Sequence, residues 1–240
     1  MLVEYIEEYS WDNKNSATGA ESTYGKNNWT DSRINYLLNE GHESESVGGS
    51  LYWYSGSGTC YSGQNNATVD CDFTETGLKE ETKNMIGNAL WYLGGSNDYE
   101  DVTTSMFYER ERGTMTYKGR DTSWVGKVGL MYPSDFGYAT SGGIDTDRNA
   151  CLNSGLGNWS NFIDFNTNDW LFDEVNWNSE WTLTIYASNS YDVFFVRTSY
   201  YLYPDKAYIN IWIRPVVFLK SSIKIVDGDG SSSNPYILQA

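Results

Sequence analysis

Histidine is almost missing from this chain: His42 stands alone among 240 residues. A catalytic arrangement built on an imidazole base has only that residue to recruit, and its setting, EGHESES just past an expected helix end, is that of a solvated side chain. Cysteine numbers three and shows no CxxC or HxxxH spacing, which removes the common zinc patterns. Cations are outnumbered, with 16 Lys and Arg against 32 Asp and Glu and a formal net charge of −16. Such a field repels phosphate backbones and anionic lipid, so nucleic acid and membrane surfaces are not the expected partners. No apolar run approaches the roughly 20 residues that cross a bilayer, and no basic, then apolar, leader opens the chain. Phosphate loops and dinucleotide fingerprints are absent too. Neither a cofactor nor a metal is expected, and the reading is not an enzyme.

What the chain has in quantity is aromatic side chains, 16% of all residues, within a hydrophobic share of 40%. That is ample material for a core in a chain of this length, despite a mean hydropathy of −0.54. The first half carries helical signals. In WTDSRINYLLNEG, Thr30 can cap, Ile34, Leu37 and Leu38 share a face, and Gly41 can end the helix. In GLKEETKNMIGNALWYLGG, Leu78, Met85, Ile86, Ala89 and Leu93 recur at helical spacing and predict a second, longer helix. A shorter third is expected within Val102 to Arg112. The opening LVEYIEEYSWDN reads as a strand. After Ser123 the texture is strands and glycine turns, closing on a hairpin whose loop is set by the Asp-Gly pairs of DGDGSSSNP. Two principal helices, then strands, with no βαβ alternation, no repeat and no linker, predict a single α+β domain over residues 1–240 with a mainly antiparallel sheet and long loops.

Cys60 and Cys71 bracket the turn-rich stretch TCYSGQNNATVDC. A bridge there is expected, closing a loop worth roughly 2–3 kcal/mol, and with it an oxidising compartment. The alternative is two reduced thiols in a cytosolic loop. Cys151 is left over, either buried or a free thiol. Asp145 and Asp147, and Asp227 and Asp229, have the alternate-carboxylate spacing of calcium loops, but neither run continues to a late glutamate, and Asp-Gly turn formation explains both.

The densest signal lies in YDVFFVRTSYYLYPDKAYINIWIRPVV. Ala207, Ile209, Ile211 and Ile213 alternate with Tyr208, Asn210, Trp212 and Arg214, the period of a strand with one buried face. The other parity carries large rings where polar residues are the norm. Tyr and Trp give wide contact area at low rotamer entropy and a polar tip, as binding surfaces require. The expected ligand-binding residues are Tyr191, Phe195, Arg197, Ser199, Tyr200, Tyr201, Tyr203, Asp205, Tyr208, Asn210 and Trp212. Isoleucine and valine are expected inward and the rings outward. The competing reading is that both faces of these strands are covered and the rings are ordinary core.

The pieces YSWDNK, NWTDSRINYLLN, GTCYSGQNNATVDCDFTETGL, GLMYPSDFGYATSGG, NDWLF and RPVVFLKS with DGDGSSSNPYIL resemble secreted or surface proteins of gut Firmicutes. Those are C-type-lectin-fold modules of the formylglycine-generating-enzyme-like type, found among the variable proteins of diversity-generating retroelements. The resemblance covers essentially the whole chain. It implies a C-type lectin fold in which Val193, Phe194, Val196, Ala207, Arg214, Pro215 and Val216 are scaffold. Phe195, Arg197, Ser199, Tyr201, Tyr203, Asp205, Tyr208 and Ile209 fit the residues that adenine-mutated asparagine codons yield, whereas Lys206 and Trp212 do not. The sequence departs from the group by starting almost at the first strand, which reads as the loss of an N-terminal anchor, and by Phe165 where relatives carry a cysteine. The EPN, QPD and WND motifs of calcium-dependent sugar binding are missing, and the reactive cysteine pair of formylglycine-generating enzymes has no counterpart here. The implied function is a monomeric, surface-displayed extracellular adhesin that binds a protein or glycan on another cell or phage. An enzyme built on Asp135, Asp145 and Asp169, or a pilus or surface-layer subunit, are the alternatives.

Overall fold

The computed structural model describes residues 6–13, 19–142, 147–161, 179–197, 201–229 and 233–239. The N-terminal half alternates short elements: β1 (Glu8–Ser10), α1 (Glu21–Tyr24), α2 (Arg33–Leu38), β2 (Ser57–Tyr61), β3 (Thr68–Asp72), α3 (Glu80–Met85), β4 (Ala89–Tyr92) and α4 (Thr104–Glu111). There follow β5 (Ser123–Gly126), β6 (Val128–Leu130), α5 (Pro133–Ala139) and α6 (Arg148–Leu152). The C-terminal part is strands: β7 (Glu180–Ile185), β8 (Asp192–Arg197), β9 (Tyr201–Lys206), β10 (Asn210–Trp212), β11 (Pro215–Val217), β12 (Lys224–Asp227) and β13 (Ile237–Gln239). The class is α+β, with small, mostly antiparallel sheets.

The principal sheet has the order β1-β10-β7-β8-β9, antiparallel except where β10 meets β7. Its two faces feed two cores. Val193 and Phe195 join a large core with Tyr9, Trp11, Trp29, Leu37, Trp91 and Trp181. Phe194, Val196 and Leu202 join a smaller one with Phe107, Phe136, Cys151 and Trp159. Indoles lock β1 to β7: Trp181 Nε1 donates to the Tyr9 carbonyl at 3.1 Å, and Trp11 Nε1 to that of Thr182 at 3.2 Å.

The first expected helix is present as α2, with Ile34, Leu37 and Leu38 buried. Its cap is Ser32, whose hydroxyl accepts from Asn35 N, rather than Thr30, which lies in a 3-10 turn. It stops at Leu38 because Asn39 leaves helical geometry and turns its amide on β6, donating to the Val128 carbonyl (2.9 Å) and accepting from Val128 N (3.0 Å). The second expected helix is mostly wrong. Only Glu80–Met85 is helical, Ile86 bridges Leu219, and Ala89–Tyr92 pairs as a strand with β5. Helical spacing in that stretch coincides with a run of β-favouring rings, and pairing Trp91 with Trp124 buries Trp91 completely, so tertiary packing overrides local periodicity. The third helix falls within the expected bounds as α4, capped by Thr103. α5 stands where strands and glycine turns are expected: Pro133 occupies its first position, where the missing N–H has no intrahelical partner to lose.

The bridge between Cys60 and Cys71 is formed, with Cα atoms 5.9 Å apart across the β2–β3 hairpin. Cys151 is buried in α6. The C-terminal hairpin is present as β12–β13, with Gly228 at φ 87° in its turn. Among the described residues no helix is long and apolar enough to cross a membrane.

Candidate functional site

β8 is a wall between the two cores, and all four of Val193, Phe194, Phe195 and Val196 are buried. The expected split, aliphatic inward and aromatic outward, therefore fails on this strand: α4, α5 and a 3-10 turn at Leu156–Asn161 lie on one face, and on the other Val193 and Phe195 join the large core with Trp29, Leu37 and Trp91 of the N-terminal half. The pattern reopens at β9, the sheet edge. Leu202 is buried, while Tyr203, its neighbour on the opposite parity, is 36% exposed. The register sets Val193 opposite Asp205, Phe195 opposite Tyr203 and Arg197 opposite Tyr201.

These strands and β10 enclose an open groove of about 360 Å³. It gathers Phe195, Arg197, Tyr203, Asp205, Asn210 and Trp212 from the residues named by sequence. Ile209 and Ile211 complete its apolar part, and Glu8 and Ser179 its polar rim. Phe195, only 6% exposed, belongs to the floor and is held edge-on by Trp181 (5.9 Å between centroids) and Tyr203 (6.2 Å). Tyr203 also meets Tyr99 at 5.6 Å, which fixes its ring. Arg197 donates to the Tyr201 hydroxyl at 2.6 Å and lies over that ring. Asp205 accepts from the Lys206 backbone N (2.8 Å) and Nζ (3.1 Å), and this bond holds the Lys206 ammonium above its usual pKa.

Asn210 has a second duty. Its Oδ1 accepts from Gly63 N at 2.9 Å and from the Ser10 hydroxyl at 3.1 Å, and its amide donates to Ser62 at 2.6 Å. The disulfide-bearing hairpin is thereby tied to the groove's end. Trp212 lies beside the buried ion pair Arg214–Glu180 (3.3 Å), since Glu180 is its register partner on β7. The turn that aims β8 is held by one buried side chain, Asn27: its amide reaches the carbonyls of Asp192 (2.9 Å), Asn189 (3.0 Å) and Tyr186 (3.3 Å), and its oxygen accepts from Arg120.

The other named residues lie elsewhere. Tyr191 and Tyr208 gather around Tyr24 of α1, at 4.9 and 6.1 Å, forming a half-buried tyrosine cluster with Lys206 over it. Tyr201 lines no part of the groove but holds Arg197. Ser199 and Tyr200 lie outside the described residues, as do Asp145, Phe165 and Asp169. Glu8 and Ser179 carried no signal, because no local pattern tells which strand β1 will pair with.

The candidate acids and the histidine among the described residues are otherwise employed. Asp135 closes the α5 cap by accepting from Tyr132 N at 2.9 Å. Asp147 caps α6 through Ala150 N, and Asp227 accepts from Gly228 N. His42 stacks on Tyr36 at 4.1 Å rather than standing in water, and burial lowers its pKa. Glu111 is completely buried, and burial pushes its carboxyl up to about 7 against the opposing bonds from Ser134 and Arg112. Its oxygens accept from Ser134 N and the Ser134 hydroxyl, so it anchors the start of α5. Among the described residues no group of three or more His, Cys, Asp or Glu side chains is placed to hold a metal. No family model, no curated protein and no solved structure matches the chain.

Proposed function

We propose that this chain is a ligand-binding module displayed outside the cell, on the C-type lectin scaffold of retroelement-diversified variable proteins, and that the β8–β9–β10 groove is its binding patch. The observation that carries the reading is the convergence of Phe195, Arg197, Tyr203, Asp205, Asn210 and Trp212 on one groove from three strands. Aromatic rings, one cation and two anions on a rigid sheet make a surface that recognises by contact rather than by reaction. Support for a tolerant scaffold comes from burial: Val193, Phe194, Val196, Ala207, Arg214 and Pro215 are buried and Val216 half-buried, whereas Arg197, Tyr201, Tyr203, Asp205 and Tyr208 reach solvent at least in part; Phe195, buried, is the exception among the variable positions. Changes at the second set leave packing largely untouched. The disulfide and the acidic surface suit an extracellular setting.

The test has two parts. A purified Arg197→Ser/Tyr203→Ser/Trp212→Ser chain should keep its fold and lose binding to whichever cells, phage or immobilised proteins and glycans the parent retains. Retained binding would remove the groove from the function. For diversification, the gene should have a nearby near-identical copy of the segment encoding residues 181–217, differing only where the copy has adenine, beside a reverse transcriptase gene.

A second reading, a pilus or surface-layer subunit, draws on the β12–β13 ribbon, where Ile225, Val226 and Ile237 are all exposed. Sizing separates the two, because a stable monomer at high concentration disfavours assembly.

A further inference from the structure

The charges of the groove are not equivalent, and the difference names a ligand. Arg197 is already engaged by the Tyr201 hydroxyl, and Asp205 by Lys206. Glu8 is different. It stands on the edge strand β1 directly opposite Trp212, exposed, and among the described residues nothing donates to its carboxylate. One wall of the groove therefore presents an unengaged anion beside an indole, the ring with the strongest attraction for a cation. Both lie in the field of a chain with a formal net charge of −16.

We infer that the groove takes a basic side chain, an arginine or lysine presented by a polypeptide segment of a partner protein, between the Glu8 carboxylate and the Trp212 ring. This inference rests on the reading of the groove as the binding patch and specifies its ligand. A guanidinium there gains a charge-assisted hydrogen bond and a cation–π contact at once. The aliphatic stem of the same side chain covers Ile209 and Ile211, which line the groove but have no cation of their own. A volume of about 360 Å³ accommodates such a side chain with flanking backbone. The acidic field adds steering, so association with a basic partner is fast and falls with salt. A neutral glycan would use the rings and leave Glu8 idle.

The experiment is an NMR titration of the intact chain, following the Trp212 indole N–H, with three probes: N-acetyl-arginine amide, its uncharged citrulline isostere, and a panel of neutral oligosaccharides. Arginine amide should shift the Trp212 signal with an affinity at least fivefold above citrulline. Glu8→Gln, an exposed change with no packing consequence, should abolish that preference, and raising salt from 50 to 500 mM should weaken binding severalfold. Equal response to arginine and citrulline, or an unchanged arginine response in Glu8→Gln, overturns the inference. If oligosaccharides shift Trp212 and arginine does not, the groove remains the binding patch and the basic ligand is wrong. If no probe shifts it, the basic ligand is again wrong, and the groove reading is judged separately by the triple-serine variant.

Discussion

Phe195 and Tyr203 face each other across the β8–β9 ladder with ring centroids 6.2 Å apart, yet one is 6% exposed and the other 36%. One cross-strand pair thus contains both the floor and the rim of the groove. Binding surface and core meet within a single contact, so sequence parity could not separate them.

That pair makes the first prediction. Phe195→Ala should destabilise the chain by about 3 kcal/mol, the usual effect of removing a buried ring. Tyr203→Ser should change stability by less than about 1 kcal/mol while impairing ligand binding. Urea denaturation of the two variants, followed by near-ultraviolet circular dichroism, reads the contrast. Equal losses would place Tyr203 in the core.

Reducing the Cys60–Cys71 bridge should lower stability by roughly 2–3 kcal/mol through loop closure alone, or roughly 4–12 °C in Tm for a chain of this size. Because Ser62 and Gly63 bond Asn210, the β10 end of the groove should loosen with it. Calorimetry with and without reductant gives the first quantity, and amide hydrogen exchange at 208–212 the second.

Removing the Asn27 amide should be costly, since Asn27→Ala takes a donor from the carbonyls of Tyr186, Asn189 and Asp192, of which Asp192 keeps its bond from Tyr186 N. A loss of about 2–3 kcal/mol is expected, with faster amide exchange in the 187–192 turn before any global unfolding. An unchanged turn would mean that the strands aim β8 unaided.

Glu111 predicts a pH dependence. Its folded pKa of about 7 lies above that of a solvated carboxyl, so the native state holds the proton more tightly than the unfolded chain does. The stability this contributes is complete below the unfolded pKa and is lost as pH rises through about 7, with a slope of at most about 1.4 kcal/mol per pH unit. Arg112, Ser134, Asp135 and Tyr132 face it, and the raised Asp135 acts in the same direction. His42, with its lowered pKa, acts oppositely, favouring the fold as pH rises. The difference between parent and Glu111→Gln isolates the glutamate: Tm measured from pH 5 to 8 should fall less in the variant. Identical slopes would contradict the assignment.

Local signals carried unevenly into the fold. α2, α4, β1, β7, the Cys60–Cys71 bridge and the closing hairpin follow from patterns a few residues long, namely caps, alternation, cysteine spacing and an Asp-Gly turn. The helix expected through Ala89 failed because Ile86 bridges Leu219 and Ala89–Tyr92 pair with β5, partners far away in sequence. α5 was missed although its start signals, Pro133 at the first position and Asp135 closing the cap on Tyr132 N, are local.

The same boundary divides the candidate site. Alternation by itself pointed to a strand over 207–214, of which Asn210–Trp212 is strand while 207–209 turn the chain, and composition determined that the chain is acidic. Which rings meet solvent was decided only by the tertiary structure. A strand's parity names two faces but not what covers each, and here the large core takes in Phe195 from the face that alternation leaves open on β8, while the edge strand β9 leaves Tyr203 at the surface. Glu8 and Trp212 became neighbours for the same reason: pairing between strands some 200 residues apart is a property of the whole packed chain, with no trace in either segment.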